Sequence, residues 1–182
     1  MFPLVVDLRG RRVVVIGAGR VGSDKARQLL DAGALVTVIS KELLAPLHAG
    51  VDAFIARAYE FGDLEGALLA VAATGDATVN DAIVREANER NVLLNVVDDV
   101  GRSAFYFTAN YRDGEVLVSV STGGASPALA QWVRNKVASA LPRNLASVAS
   151  RLRAERTSLH TAGESTENRP WMQRVEQLVE EL

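Results

Sequence analysis

The chain has 182 residues, 48% hydrophobic and 23% charged, with no cysteine and a formal net charge of −2. That balance belongs to a folded chain, not a disordered one, and the length suits one domain with a small appendage. The missing cysteines exclude disulfides, thiolate metal sites, iron–sulfur clusters and a cysteine nucleophile, and only His48 and His160 can supply imidazole.

The first half alternates apolar strands with helical segments. Residues 12–16 form a β-branched run that ends at Gly17. Residues 20–32 have helical spacing, with Ala26, Leu29 and Leu30 on one stripe and Gly33 at the end. A second β-branched strand is predicted at 35–39 and a short third at 53–56. The continuous apolar run at 68–73 reads as a strand buried on both faces. An amphipathic helix at 76–90 turns Val79, Ile83, Val84 and Ala87 inward, and 92–97 is another buried strand. This alternation predicts an α/β fold with a parallel sheet and right-handed crossovers.

The pattern changes after about residue 100. Strands are expected at 105–108 and 115–121, joined by a turn at Tyr111-Arg112-Asp113-Gly114, which makes a hairpin instead of another strand–helix–strand unit. Gly123-Gly124 then precedes a helix at 126–141 whose inward stripe holds Leu129, Trp132, Val133, Val137 and Leu141. Further helices are expected at 144–160 and 171–182, separated by the polar linker 161–168. The hairpin has no evident sheet partner within its own chain. An unpaired apolar edge is a liability unless covered, which predicts a twofold homodimer.

The near-neutral charge is uneven. Residues 100–156 carry eight basic and three acidic side chains, whereas both flanks are net acidic. The basic stretch suits an anionic ligand or a set of solvated helix faces. The N-terminal residues lack a signal-peptide pattern, and no apolar run approaches the ~20 residues of a membrane helix. The expectation is therefore a cytoplasmic protein with no membrane and no nucleic-acid partner.

Gly17-Ala18-Gly19-Arg20-Val21-Gly22 matches G-x-G-x-x-G, after a strand and opening a helix. Gly17 permits the tight turn, Gly19 lets a pyrophosphate approach the backbone, and Gly22 lets helix and strand pack closely. The phosphates then lie at the helix N-terminus, against free N–H groups. The acidic residue that usually ends the second strand of an NAD site is absent. Ser40-Lys41-Glu42 stands there instead, where Ser40 suits a ribose hydroxyl and Lys41 suits a 2′-phosphate, so these residues leave NAD and NADP both open.

Asp98 and Asp99 follow a predicted central strand directly, at the end where open α/β sheets place ligands. A carboxylate there can serve as general base beside hydride transfer, or simply cap a turn. Ser121, Thr122, Gly123, Gly124 and Ser126 combine hydroxyls with backbone N–H groups, which fits an anion nest or a helix cap followed by Pro127. Phe105, Tyr106, Phe107 and Tyr111 either face a flat conjugated ligand or fill packing.

Taken in order, these motifs carry a resemblance. Leu8-Arg9-Gly10, the glycine turn, Lys25-Ala26, Ala72-Ala73-Thr74, Thr78-Val79-Asn80, Asn95-Val96-Val97-Asp98 and Ser121-Thr122-Gly123-Gly124-Ala125-Ser126-Pro127 resemble the precorrin-2 dehydrogenase/sirohydrochlorin ferrochelatase family. The likeness covers about residues 1–160, through the helix that ends at Leu141-Pro142. It implies a Rossmann domain over 1–110, a dimerisation region over 111–142 and a helical domain over 143–182. It also implies NAD as hydride acceptor, with Gly17, Gly19, Arg20, Val21, Gly22, Ser40, Lys41, Glu42 and Thr74 at the cofactor.

Precorrin-2, a polycarboxylate tetrapyrrole, is the implied substrate and sirohydrochlorin the product. Ser121, Thr122, Gly123, Gly124 and Ser126 would line its site. Arg102, Arg112, Arg134 and Lys136 are candidates to pair its carboxylates, Arg102 and Arg134 foremost. Asp98 matches the residue implicated in proton removal. Thr122 stands where some members carry serine. Ferrous iron is a second implied substrate, entering the ring without a resident metal site. No methyltransferase-like segment occurs up to Leu182, so the upstream methylations are expected from another protein. Two other readings remain: a non-catalytic dinucleotide-binding redox sensor, and a dehydrogenase of another anionic substrate.

Overall fold

The computed structural model describes residues 1–182, which form two compact units, 1–106 and 107–182. The first holds β1 (Arg12–Ala18), α1 (Arg20–Asp31), β2 (Leu35–Leu43), β3 (Ala53–Ile55), β4 (Leu69–Ala72), α2 (Ala77–Arg90) and β5 (Leu93–Val96). The five strands are all parallel in the order β3-β2-β1-β4-β5. This is the Rossmann arrangement that the strand–helix alternation predicts. Strand order reverses between β1 and β4, and such a switch point opens a crevice at the carboxyl ends of the strands.

The sheet is sandwiched because its strands are apolar on both faces. Val14, Ile16, Ala70, Ala72, Leu94 and Val96 pack with Ile83 and Ala87 of α2 and with Leu64 in one buried cluster. Val13 and Val15 alternate to the other face, where α1 buries Ala26 and Leu29. Helix α2 starts at Asp76, whose carboxylate accepts the N–H groups of Thr78 and Val79, and ends at Asn91 in the left-handed region.

One buried charge braces this unit. Glu86 on α2 is fully buried. Its carboxylate accepts the Tyr59 hydroxyl and the Leu64 N–H at 3.1 Å, and pairs with Arg90 Nε at 2.7 Å. Burial, together with the hydrogen bond to this carboxylate, pushes the Tyr59 hydroxyl above its ordinary range. Glu86→Ala strands three donors at once, and should destabilise the protein by about 3–5 kcal/mol. Urea unfolding checks this; a loss below about 1 kcal/mol contradicts the bracing role.

The second unit holds β6 (Ala109–Asp113), β7 (Val116–Val120), α3 (Pro127–Ala140), α4 (Leu145–Thr161) and α5 (Trp171–Glu180). The hairpin exists, but four residues later than its first strand was expected. Residues 105–108 are not a strand: Ala104 N–H donates to the Leu94 carbonyl at 2.7 Å, and the Phe105 carbonyl accepts from Asn95. Ala104 and Phe105 are tied to β5 instead. Tyr111 pairs with Val118 and Asp113 with Val116, so the turn falls at Gly114, with φ +58.

Of the apolar stripe expected to point inward from α3, Val133, Val137 and Leu141 are half-buried, but Leu129 and Trp132 are not covered. Leu129 and Trp132 are 50% and 59% exposed, and Ala130 is the buried residue of this helix. Helix α5 docks on α4 through Leu178, which is fully buried, and through Arg174–Glu155 at 2.5 Å. No helix is long and apolar enough to cross a membrane.

Candidate functional site

The glycine turn is built as its spacing requires. Gly17 has φ +104, and a Cβ there would stand 2.4 Å from the Ala73 carbonyl oxygen. A Cβ at Gly22 would stand 2.0 Å from the Gly17 carbonyl oxygen. Backbone therefore meets backbone at both places, and no side chain can be inserted. Gly19 differs: it is extended, and a Cβ there would meet nothing within 4 Å. Its glycine is not demanded by the protein's own packing. The open space above it is what a close-lying ligand would need.

The start of α1 is also left open. Gly19 is the N-cap and supplies no side-chain hydrogen bond, and the first turn has no acidic residue. The leading N–H groups and the helix dipole thus face an anion without competition from the chain. Exposed Arg20 and Val21 flank this position, with Gly22 buried beneath. These features fit the pyrophosphate of a dinucleotide.

Neighbouring strands complete the edge of the crevice. Strand β2 continues past Ile39 to Leu43, so Ser40, Lys41 and Glu42 lie in its extension, with Leu43 beside Ala18. The Ser40 hydroxyl donates to the Glu42 carbonyl at 2.7 Å, and Lys41 and Glu42 are exposed. Thr74 follows β4 and borders Gly17. Its hydroxyl bonds the Asn80 side-chain oxygen at 2.7 Å, while Asn80 Nδ2 donates back to the Thr74 carbonyl. Asn80 is buried and holds Thr74 at the switch point. The residues alone gave it no role; its helical spacing from Asp76, with buried Ile83 one turn on, was the available signal.

Asp98 follows β5, an edge strand, not a central one as expected. Its neighbour is β4, so it lies one strand from Thr74. Asp98 adopts φ +61, is exposed, and bears no hydrogen bond or ion pair within the chain. Asp99 is used quite differently. Its carboxylate accepts the Arg102 N–H at 3.0 Å and Arg102 Nε at 2.6 Å. Those bonds hold Asp99 below the usual carboxylate range. Of the adjacent pair, only Asp98 offers a free carboxylate.

Arg102 was expected to grip substrate. Instead, its guanidinium spans two carboxylates of its own chain, Asp99 and, through NH1 at 2.6 Å, Asp81 on α2.

Within the second unit, the loop before α3 is a helix cap. Ser126 Oγ accepts the Leu129 N–H at 3.2 Å, and Pro127 takes the first helical position. Thr122 Oγ1 accepts the Ser126 N–H and donates to the Ser126 carbonyl, both at 3.1 Å. Ser121 Oγ accepts the Gly123 N–H at 3.2 Å. Gly123 and Gly124 are both left-handed, at φ +65 and +84. On α3, Arg134 Nε is buried without a hydrogen-bond partner.

A family model described as "Putative NAD(P)-binding" matches residues 4–109, and one described as "Sirohaem biosynthesis protein central" matches 116–140. The chain is 40% identical over 149 residues to siroheme synthase 2 of Aeromonas hydrophila, covering 81% of this chain and 32% of that protein. It is 38% identical over 160 residues to siroheme synthase of Azotobacter vinelandii, covering 84% and 34%. The chain belongs to the putative NAD(P)-binding family.

The chain spans about a third of the length of these siroheme synthase relatives. A solved structure titled SirC, precorrin-2 dehydrogenase, superposes with a TM-score of 0.72 at 23% identity, covering 100% of this chain and 88% of that one. At that identity the likeness speaks for the shared fold.

Proposed function

We propose that this chain oxidises precorrin-2 to sirohydrochlorin with NAD, yielding NADH and one proton. The observation that carries the reading is an open dinucleotide cradle and an unpartnered Asp98 at the carboxyl ends of one parallel sheet. NAD, when bound, supplies the hydride acceptor. Gly19 and the first N–H groups of α1 would hold its pyrophosphate. Ser40, in the β2 extension, is the group suited to a ribose hydroxyl. Asp98 takes the substrate proton as general base, which its free carboxylate allows. The names of the siroheme synthase relatives support the substrate class.

Ser121, Thr122, Gly123, Gly124, Ser126 and Arg134 are the proposed tetrapyrrole ligands of the second unit. Arg134, with its unpartnered Nε, is the cation best suited there to a carboxylate. The reaction is assigned to the cytoplasm and to a homodimer joined through the hairpin and α3. Exposed Leu129 and Trp132, beside a two-stranded sheet, support that assembly. Light scattering at micromolar concentration should give twice the 19.5 kDa chain mass; a monomer contradicts it.

A binding titration tests the substrate class. Sirohydrochlorin added to the protein should shift the ring's absorbance and saturate, and the shift should weaken in Arg134→Ala. NAD binding without any tetrapyrrole response would instead favour the redox-sensor reading.

A further inference from the structure

We infer that Arg102 is a positioning residue that fixes the turn carrying Asp98. The inference rests on the reading of Asp98 as base, and goes beyond it by naming what aims that base.

Asp98 sits in a conformation that most side chains avoid. At φ +61 it occupies the left-handed region, which persists in a non-glycine residue when the surroundings over-determine it. The surroundings here are bonds on both sides. Before it, the Val96 N–H donates to Ser103 Oγ at 2.9 Å, and Asp99 N–H returns to the Val96 carbonyl at 3.1 Å. After it, Ser103 Oγ donates to the Asp99 carbonyl at 2.7 Å. Arg102 closes the loop by gripping both oxygens of Asp99, through its backbone N–H and Nε.

The other end of that guanidinium reaches outside the turn. Arg102 NH1 meets Asp81 on α2, a helix packed on the sheet through buried Ile83 and Ala87. The β5–Asp98 turn is thereby tied to a neighbouring helix as well. Exposed ion pairs add little to stability. Their value here is angular: a planar fork with two bonds in fixed directions, together with the residue's own backbone N–H, sets the orientation of a short turn. Two carboxylates already outweigh the single positive charge of Arg102, so a third from the substrate would have to displace one of them.

Kinetics and amide exchange of purified full-chain variants test the inference. Arg102→Ala should lower kcat for precorrin-2 oxidation about 10- to 100-fold, since small misplacements of a reacting group cost rates of that order. KM for precorrin-2 and the NAD dissociation constant should change less than about threefold. Combined with Asp98→Asn, it should cost nothing beyond the single Asp98→Asn loss. Amides of residues 97–103 should exchange faster in Arg102→Ala.

Asp81→Asn separates the two roles of the arginine. It loosens the anchor, so kcat should fall severalfold. Were Arg102 a substrate ligand, freeing it from Asp81 would lower KM instead. Either that lowered KM, or a raised KM at unchanged kcat in Arg102→Ala, overturns the inference. Full activity in Asp98→Asn overturns the base assignment. Unchanged amide exchange in Arg102→Ala overturns the positioning role whatever Asp98→Asn does.

Discussion

Asp98→Asn should lower precorrin-2 oxidation by at least about 100-fold while leaving NAD binding and thermal stability unchanged. General-base removal costs on the order of 10²–10⁴ in rate. The substitution is unusually clean here. Asp98 is exposed and makes no hydrogen bond or ion pair in its own chain, so the amide leaves no partner stranded. Asparagine also tolerates the left-handed backbone at φ +61 as well as aspartate does. A lost rate with an unchanged melting temperature would therefore report chemistry alone. Asp99→Asn is the matched control. It weakens the pairing with Arg102 and should cost less rate than Asp98→Asn. Equal losses at the two positions would contradict the assignment.

The second large effect separates two glycines of one motif. Gly22→Val forces a side chain into the Gly17 carbonyl, where even a Cβ would stand 2.0 Å away. The helix must lift from the strand, so both folding stability and NAD binding should be lost. Gly19→Val meets open space in the protein and an extended backbone that valine adopts readily. Its melting temperature should stay within about 3 °C of the parent, since nothing in the fold is displaced. NAD binding should nevertheless weaken at least about 100-fold, which corresponds to roughly 2.7 kcal/mol. Calorimetry and fluorescence titration read the two quantities. Normal NAD affinity in Gly19→Val would place the pyrophosphate elsewhere.

The parallel sheet was legible because strands buried on both faces must be apolar throughout. Runs such as Leu69–Ala72 state their own position. The glycine turn was legible for a related reason, since close backbone packing tolerates no other residue at Gly17 and Gly22. The hairpin register was not. The aromatic run at 105–108 has strand composition, yet its first residue, Phe105, and Ala104 before it bond to β5. Composition does not reveal which edge a segment joins.

Long-range pairing hid the remainder. Arg102 reads as a free cation in a basic stretch, but Asp81, 21 residues earlier, already meets it. Nothing in the sequence singles out Glu86, but Tyr59, Leu64 and Arg90 converge on it in the fold, where it is fully buried. A sequence shows charge, whereas partnership depends on the fold. Asp98 and Asp99 make the same point in adjacent residues: identical side chains, one clamped and one free.

The most direct test is an anaerobic assay of the purified chain with precorrin-2 and NAD. The account predicts one NADH at 340 nm for each sirohydrochlorin formed, with the yield abolished in Asp98→Asn. Tight NAD binding with no NADH formed from precorrin-2 would contradict it.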